Sequence, residues 1–359
     1  MKGYCFMKVT RELGKVLTDT TMSSPVYLDI TKEPFKLHGF CEPFRRVPKD
    51  VADATSEGVS RLACCSAGGR VSFRTDSDFI VVHGDIDFHN TAVTMSELAL
   101  TGFDIHFKEN GKFLFKGVFG PSQGAGKNYV ESRLRFDGEM HDVFVNFPID
   151  THFDSVYIGL REGCTLEASD GYKYKENVVF YGSSIVQGIG ASRPSSIYTS
   201  VISRDLDTDF INLGLAGNAK AEPAIMEYIS SLPMSVFVYD YDHNAPDPDY
   251  LEKTHYRGYE IFRKNQPDTP VIMVSKPDYY FDNKMLNSGV AANERRRQII
   301  IADYERALKN GDKNISFIDG SKIYPERVRD DCTIDGCHPN DMGYRYMADA
   351  IGAEIKKYL

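Results

Sequence analysis

The chain has 359 residues, more than a single hydrophobic core usually supports, so two domains are expected. Its composition, 42% hydrophobic and 26% charged, is that of an ordinary globular protein. The formal net charge of −9 argues against a surface for nucleic acid or an anionic membrane, because phosphates attract clusters of lysine and arginine. The three consecutive arginines at 295–297 lie in a helical pattern, and we interpret them as a solvated face.

The first residues, MKGYCFMKVTRELGK, have no apolar segment of signal-peptide length before charges interrupt them. No later segment reaches the apolar length of a membrane span, so a cytoplasmic location without a membrane partner is expected. The seven cysteines are an odd number without paired zinc-type spacing, which is typical of free thiols in a reducing compartment. For Cys332 and Cys337 a disulfide or a metal site stays open.

Residues 1–172 show the alternation of apolar and polar residues that indicates half-buried β-strands, as in VSFRT and DFIVVHGDI. Two hairpins are predicted where turn dipeptides separate such strands. One joins GFDIHF to KFLFKGV through Asn110 and Gly111, and the other joins SRLRF to HDVFVNF through Asp137 and Gly138. Repeated short strands at this spacing predict an all-β sandwich domain of the jelly-roll type.

Residues 173–359 change to an alternation of strands and helices. The runs VVFY, FINLG, SVFVYD, VIMVS and ISFIDG are almost entirely apolar, as in a parallel sheet covered on both faces. Helical patterns lie between them, the longest being VAANERRRQIIIADYERALKNG, and MGYRYMADAIGAEIKKYL is an amphipathic C-terminal helix. The predicted fold class is therefore α/β, with a three-layer α/β/α domain that follows the sandwich.

Open α/β sheets place their chemistry at the carboxyl ends of the strands, and those ends carry a set of residues suited to acyl transfer. Ser184 follows the first strand, Gly217 the second and Asn244 the third, while Asp335 and His338 stand in TIDGCHPND near the end. A serine hydroxyl needs a base such as histidine, whose second ring nitrogen a carboxylate can hold. Backbone N–H groups beside glycine and a side-chain amide can stabilise the oxyanion.

The order of these blocks resembles the SGNH hydrolase superfamily, also called GDSL esterases, which ends in Asp-x-x-His-Pro. The resemblance implies a flavodoxin-like hydrolase domain in which Ser184 is the nucleophile, His338 the base and Asp335 the acid. It also implies an oxyanion hole formed by Ser184, Gly217 and Asn244.

Two further segments resemble one subgroup of that superfamily, so the resemblance covers most of the chain. YGSSIVQGIGASRPSSIY is similar to a first block that reads Gly-Ser-Ser followed by Ala-Ser-Arg-Pro, and TGFDIHF is similar to the Gly-x-Asp-Leu-Tyr motif of its N-terminal β-domain. Three positions depart from the usual patterns: Ser183 stands where the first block has Asp, His106 replaces the motif's Tyr, and DHN at 242–244 replaces Gly-Gly-Asn-Asp.

Taken singly, Ser184, Gly217 and Asn244 could be turn residues, and His338 could be a surface histidine. GPSQGAGKN departs from the spacing of a phosphate loop, and no His-Glu-x-x-His or paired Cys-x-x-Cys occurs. No Gly-x-Ser-x-Gly elbow occurs either, which argues against the α/β-hydrolase fold. No cofactor and no metal are therefore expected.

The resemblance implies a carboxylic ester hydrolase, and a β-sandwich before such a domain is similar to carbohydrate esterases that remove acetyl groups from sugars. The expected substrate is therefore an acetylated sugar or oligosaccharide. Arg193, Tyr279 and Tyr280 are candidates for binding it, with a salt bridge or packing as the alternative, and the loop at 118–129 is a candidate cleft wall. A lipid or thioester acyl hydrolase and an inactive carbohydrate-binding protein remain alternatives, and the oligomeric state is not indicated.

Overall fold

The computed structural model describes residues 7–120, 128–277, 280 and 289–359. Up to residue 173 it is mainly antiparallel β-structure with three short helices. The strands are β1 (Met7–Lys8), β2 (Val26–Asp29), β3 (Lys36–His38), β4 (Arg70–Thr75), β5 (Phe79–His89), β6 (Phe103–Glu109), β7 (Lys112–Phe119), β8 (Tyr129–Arg135), β9 (His141–Asn146), β10 (Thr151–Leu160) and β11 (Thr165–Glu167). The helices are α1 (Lys49–Thr55), α2 (Glu57–Leu62) and α3 (Glu97–Thr101).

The antiparallel strands form two sheets that share one core. One sheet has the order β1-β11-β4-β9-β6-β7, with β3 paired to β4, and the other has the order β2-β10-β5-β8. Buried apolar side chains of both sheets meet between them, among them Leu28, Val82 and Ile158 on one side and Phe73, Ile105 and Val145 on the other. The predicted β-rich N-terminal part is therefore confirmed, while its jelly-roll connectivity and its boundary at residue 172 stay predictions.

One of the two predicted hairpins is correct and the other is wrong. β6 pairs with β7, and Asn110 and Gly111 both have the positive φ that a tight hairpin turn requires. β8 instead pairs with β5, whereas β9 pairs with β4 and β6 in the other sheet. Gly138 does turn the chain with positive φ, but the turn carries it from one sheet to the other.

The remainder of the chain forms a parallel sheet with helices on both faces. Its strands are β12 (Tyr174–Gly182), β13 (Thr208–Gly214), β14 (Val236–Asp240), β15 (Val271–Val274) and β16 (Ile315–Ile318). Its helices are α4 (Ser184–Gln187), α5 (Tyr198–Leu206), α6 (Pro223–Ser231), α7 (Pro248–Asn265), α8 (Val290–Lys309) and α9 (Asp341–Ile355). The order β13-β12-β14-β15-β16 is flavodoxin-like, which confirms the predicted α/β fold.

Alternate residues of β12 point to opposite faces of this sheet, as a strand requires. Val179 and Tyr181 pack with α6, α7 and α8, whereas Val178 and Phe180 pack with α4, α5 and α9. Helices α1 and α2 join the first of these cores through Ala52, Val59 and Leu62, although they precede most of the antiparallel strands. The two parts of the chain are therefore built onto each other rather than linked by a spacer.

Two buried arginines cover the free edge of β13, the outermost strand of the parallel sheet. Arg46 donates to the carbonyl oxygens of Asn212 and Gly214, at 2.9 and 2.8 Å. Arg70 donates to that of Phe210, at 3.1 Å. An uncovered edge strand exposes unpaired backbone groups, so these side chains satisfy alternate carbonyls where another strand would otherwise pair.

Among the described residues, no helix combines the length and the apolar composition that crossing a membrane requires. None of the described cysteines, Cys332 and Cys337 included, forms a disulfide bond.

Candidate active site

The three loops that carry the predicted nucleophile and oxyanion-hole residues begin side by side. Gly182 at the end of β12 lies in register with Gly214 of β13 and with Asp240 of β14. The N–H of Leu215 donates to the carbonyl of Gly182 at 2.8 Å, which holds the first two loops together. The strand order reverses around β12, and such a switch point is where ligands bind in open α/β sheets.

The two consecutive serines of the first loop have different surroundings. Ser183 is fully buried, and its hydroxyl caps α4 by accepting the N–H of Ile185 at 3.2 Å. Ser184 is partly exposed, and its Oγ lies 3.0 Å from Nε2 of His338. Of the two serines, Ser184 is therefore the one that lies beside His338, and its role as nucleophile stays a prediction.

Asp335 holds the other side of the histidine ring. Its Oδ2 lies 2.7 Å from Nδ1 of His338, and its Oδ1 accepts the backbone N–H groups of Cys337 and His338 at 2.9 and 2.7 Å. Burial opposes ionisation of Asp335, but these hydrogen bonds outweigh it and lower the pKa of the carboxyl to about 2. The carboxylate is thus charged at neutral pH and fixes the ring with Nε2 towards Ser184.

The segment after α4 packs closely against the histidine loop. Gly190 has φ +99°, and a Cβ at this position would lie 2.4 Å from the carbonyl oxygen of Pro339, so only glycine fits without displacement. Two residues on, Ser192 donates its N–H and its hydroxyl to the carboxylate of Asp341, at 2.9 and 2.5 Å. These contacts join the segment that follows Ser184 to the loop that carries His338.

The predicted oxyanion-hole residues present hydrogen-bond donors at the ends of β13 and β14. Gly217 has φ +72°, and its N–H has no partner among the described residues. The side-chain oxygen of Asn244 accepts the N–H of Ala219 at 3.2 Å, which leaves the amide nitrogen of Asn244 as a donor. The roles of both residues stay predictions.

The third loop is held by a buried arginine that we interpreted wrongly from the sequence. Arg296 is 3% exposed, and its guanidinium donates to the carbonyls of Asp242 and Ala245, at 2.6 and 2.8 Å. Only Arg295 of the three arginines fits the predicted solvated face, where it pairs with Asp249. The side of α8 that carries Arg296 packs against the loop of Asn244, and the bare charge pattern did not reveal this contact.

The structure describes two of the three candidate substrate-binding residues, Arg193 and Tyr280. Arg193 lies 4.5 Å above the ring of Phe115 and donates to the hydroxyl of Ser196 at 2.8 Å, so it joins the first loop to β7. Tyr280 is 43% exposed, with the guanidinium of Arg329 3.5 Å above its ring. Tyr279 and residues 121–127 of the candidate wall loop lie outside the described residues. Substrate binding by these residues stays a prediction.

A cleft of about 470 Å³ lies between the antiparallel part and the histidine loop. Its lining includes Thr94 and Ser96 from before α3, Gly190, and the apolar side chains of Ile334 and Met342. This volume is within the usual range of ligand pockets. Another cavity, of about 520 Å³, lies at the opposite end of the strands, where α7 and α8 end.

The motif segment TGFDIHF connects the two parts of the chain. Asp104 is fully buried, and its carboxylate accepts the N–H of Ser195 at 2.8 Å and the side-chain amide of Asn146 at 2.7 Å. Burial raises the pKa of Asp104 and lowers that of His106 to about 2, so His106 is neutral. The sequence identified the motif but not its partner, because Ser195 is distant in the chain.

Asp240, Asp242 and His243 are the described residues that could hold a metal ion, with one ligand atom from each within 4.8 Å of the others. Two of these carboxylate oxygens already accept hydrogen bonds, one from the hydroxyl of Tyr198 at 3.1 Å and one from the N–H of Lys276 at 3.1 Å. These two hydrogen bonds help to hold the third loop, and the expectation that no metal binds stays a prediction.

A flavodoxin-like sheet with a hydrogen-bonded serine, histidine and aspartate at its carboxyl edge is typical of serine hydrolases. The profile of the GDSL-like lipase/acylhydrolase family matches residues 175–356, and the chain belongs to this family. The profile of the GxDLY domain, described as the N-terminus of SGNH-hydrolase-type esterases, matches residues 26–166. Among curated proteins none matches the chain significantly.

Solved structures share the architecture of both parts. A protein from Bacteroides ovatus, described as a GDSL-like lipase, is 27% identical with a TM-score of 0.83, over 93% of this chain and 98% of its own. A salicylyl-acyltransferase from a tetracycline biosynthetic pathway is 19% identical with a TM-score of 0.75, over 94% of this chain and 98% of its own. A family two carbohydrate esterase from Clostridium thermocellum, solved with cellohexaose, is 14% identical with a TM-score of 0.53, over 82% and 93%.

Proposed function

We propose that this member of the family is a serine esterase that removes short acyl groups, in particular acetyl, from carbohydrates. The observation that carries the proposal is the hydrogen-bonded series from Ser184 Oγ through His338 to Asp335, with separations of 3.0 and 2.7 Å. These distances allow a proton to pass from the serine to the ring without rearrangement.

The proposed reaction has two acyl-transfer steps. Ser184 Oγ attacks the ester carbonyl while Nε2 of His338 takes the hydroxyl proton, and the charge of Asp335 stabilises the imidazolium. The negative charge on the carbonyl oxygen is met by donors from Gly217 and Asn244 and by the N–H of Ser184. The ester C–O bond then breaks, and the alcohol leaves with the proton from His338. Water, deprotonated by the same ring, releases the acid and restores the serine.

A carbohydrate as the alcohol part is supported by the comparisons and by the cleft. The family two carbohydrate esterase that was solved with cellohexaose has the same fold across both parts. The cleft beside the histidine loop is large enough for more than an acetyl group, and Ile334 and Asn340 of that loop contribute to its lining. Tryptophan is absent from the sequence, so any flat aromatic surface for a sugar must come from tyrosine or phenylalanine, for example Tyr280.

The test is a panel of 4-nitrophenyl esters from acetate to octanoate, run beside acetylated oligosaccharides with released acetate as the measured product. We expect the highest kcat/KM for acetate, and turnover of the oligosaccharides that disappears in Ser184→Ala. A preference for octanoate or for acyl thioesters would favour a lipid or thioester hydrolase. Binding of the oligosaccharides without any turnover would favour an inactive carbohydrate-binding protein.

The likeness to a salicylyl-acyltransferase adds a second acceptor to be tested. The same serine ester intermediate can be attacked by an alcohol instead of water. The panel is therefore repeated with added methanol, and the ratio of methyl ester to free acid is measured. We expect free acid to predominate, as in a hydrolase.

A further inference from the structure

Both backbone groups of Ala216, the residue before Gly217, are held by hydrogen bonds. The N–H of Ala216 donates to Oε1 of Gln187 at 3.0 Å, and its carbonyl accepts the side-chain amide of Asn218 at 2.7 Å. A trans peptide is planar, with the carbonyl of one residue and the N–H of the next pointing in opposite directions. Once the carbonyl of Ala216 is fixed, the direction of the Gly217 N–H is fixed as well.

Gln187 is itself held by a carboxylate of the antiparallel part. Its Nε2 donates to Oδ1 of Asp150 at 2.8 Å, and the side chain of Asn90 donates to the same oxygen at 2.9 Å. Gln187 is fully buried and Asp150 is 5% exposed. A carboxylate only accepts hydrogen bonds, so the Gln187 amide must face Asp150 with its nitrogen and Ala216 with its oxygen.

The second support also depends on the antiparallel part. Gly58 in α2 lies against the side chain of Asn218, and a Cβ at position 58 would lie 1.9 Å from the Asn218 Oδ1. On the other side of the loop, Gly214 lies equally close to α4, since a Cβ at position 214 would lie 2.0 Å from the backbone nitrogen of Gln187. The two ends of the loop thus lie in close contact with α2 and with α4.

We infer that Asp150 and Gln187 are positioning residues that aim the Gly217 N–H at the oxyanion, so that the N-terminal part completes the active site. The inference rests on the proposed function, in which Gly217 is an oxyanion-hole donor. Among the described residues, neither positioning residue forms a side-chain hydrogen bond with Ser184 or His338. Their effect should therefore fall on stabilisation of the transition state and leave the serine–histidine pair intact.

The first test measures Gln187→Leu on 4-nitrophenyl acetate. Loss of one oxyanion donor typically costs 10²–10³ in kcat, and a misdirected donor should cost roughly 10 to 100-fold, with KM little changed. A trifluoromethyl ketone, whose serine adduct carries an oxyanion, should bind more weakly by a similar factor. The pH dependence of kcat/KM should be unchanged, because the triad is intact. If Gln187 only supported the fold, its substitution would not lower kcat and the affinity for the ketone while leaving KM and the pH dependence unchanged.

The second test exchanges the donor and the acceptor in the hydrogen bond between Gln187 and Asp150. Gln187→Glu alone sets two carboxylates against each other and should lose the most activity. Adding Asp150→Asn supplies an amide that donates to the new carboxylate, whose other oxygen can still accept the Ala216 N–H. The double variant should recover at least about tenfold of kcat over Gln187→Glu. Asn218→Ala, at a partly buried position, removes the donor to the Ala216 carbonyl, which belongs to the same peptide as the Gly217 N–H, and should also lower kcat.

All variants are compared well below their thermal transitions, with the native fold checked by near-ultraviolet circular dichroism. Wild-type kcat in folded Gln187→Leu and Asn218→Ala, or no recovery in the double variant, would overturn the inference while the esterase activity stands. If the wild-type protein hydrolyses no ester in the panel, the proposed function fails and the inference fails with it.

Discussion

Arg46 donates from Nη1 to the carbonyl oxygen of Gly214 at 2.8 Å, at the carboxyl end of the strand that leads to Gly217. Its other nitrogens donate to the carbonyls of Leu62 and Cys65, at 2.8 and 2.6 Å. Burial lowers the pKa of Arg46, and these side-chain hydrogen bonds all go to backbone carbonyl oxygens. The side chain therefore joins the segment before β4 to the edge of the parallel sheet.

Replacing Arg46 by methionine should destabilise the whole protein. The change leaves several buried carbonyls without donors and uncovers the edge of β13, so we expect a loss of about 3–5 kcal/mol in the free energy of unfolding. Urea denaturation measures the loss, and light scattering reports association through the uncovered edge. The control is Arg345→Met, because the ion pairs of Arg345 are half exposed and should contribute less than about 1 kcal/mol. Equal losses in the two variants would contradict this role of Arg46.

The two serines of the first loop should separate catalysis from stability. Ser184→Ala removes the attacking hydroxyl and should lower kcat on 4-nitrophenyl acetate by at least about 10³-fold, with little change in stability. Ser183→Ala removes the cap of α4 and should cost about 0.5–2 kcal/mol of stability while it keeps most of the activity. Turnover and thermal unfolding are measured on both proteins. The reverse pattern would move the nucleophile to Ser183.

Three residues of the candidate site could be placed at one edge of the sheet from the sequence, because each follows a recognisable strand end. Parallel strands share one carboxyl edge, so Ser184, Gly217 and Asn244 had to lie near each other once β12, β13 and β14 were identified. Asp335 and His338 were identified by their short spacing and their chemistry, and the turn between them is local. None of these inferences needed knowledge of contacts between distant segments.

The errors and omissions concern contacts between distant segments. Gly138 has the positive φ that hairpin turns often require, but the choice of partner strand depends on packing between the sheets. Arg296 looks like its neighbours in sequence and differs only in what lies opposite its face of α8. Asp150 and Gln187 belong to separate parts of the chain, and no periodicity or motif links them.

Gly58→Ala should reduce catalysis more than stability. The added methyl group would collide with the side chain of Asn218 and displace the peptide before Gly217, so we expect kcat on 4-nitrophenyl acetate to fall by about tenfold or more. The matched control is Gly352→Ala, a helical glycine at which a Cβ would have its nearest neighbour at an ordinary 3.4 Å. That variant should keep its activity and gain helix stability. Similar activities in the two variants would show that α2 does not support the oxyanion loop.

The free energy of unfolding at acidic pH should depend on Asp209, which joins the two parts of the chain. Its carboxylate oxygens lie 2.7 Å from Nδ1 of His38 and 2.5 Å from Nη2 of Arg70. Burial opposes its ionisation, but these partners outweigh burial and hold the pKa of Asp209 at about 2, below its usual 3.8. The ionised group therefore stabilises the fold above about pH 4, and this contribution of about 2 kcal/mol is lost as the pH falls towards 2. Asp209→Asn should be less stable at pH 7, and its stability should fall less between pH 4 and pH 2.

Asp142 is a control for this experiment, because its effect on the pH dependence of stability has the opposite sign. Burial raises the pKa of Asp142 to about 6, so its ionisation destabilises the fold above that pH. Asp142→Asn should therefore be more stable than the wild-type protein at pH 7, and the difference should shrink as the pH falls from 6 to 4. Urea denaturation at pH 7, 6, 5, 4, 3 and 2 gives the difference between each variant and the wild-type protein. Parallel curves for Asp209→Asn and the wild-type protein below pH 4 would contradict the role of Asp209.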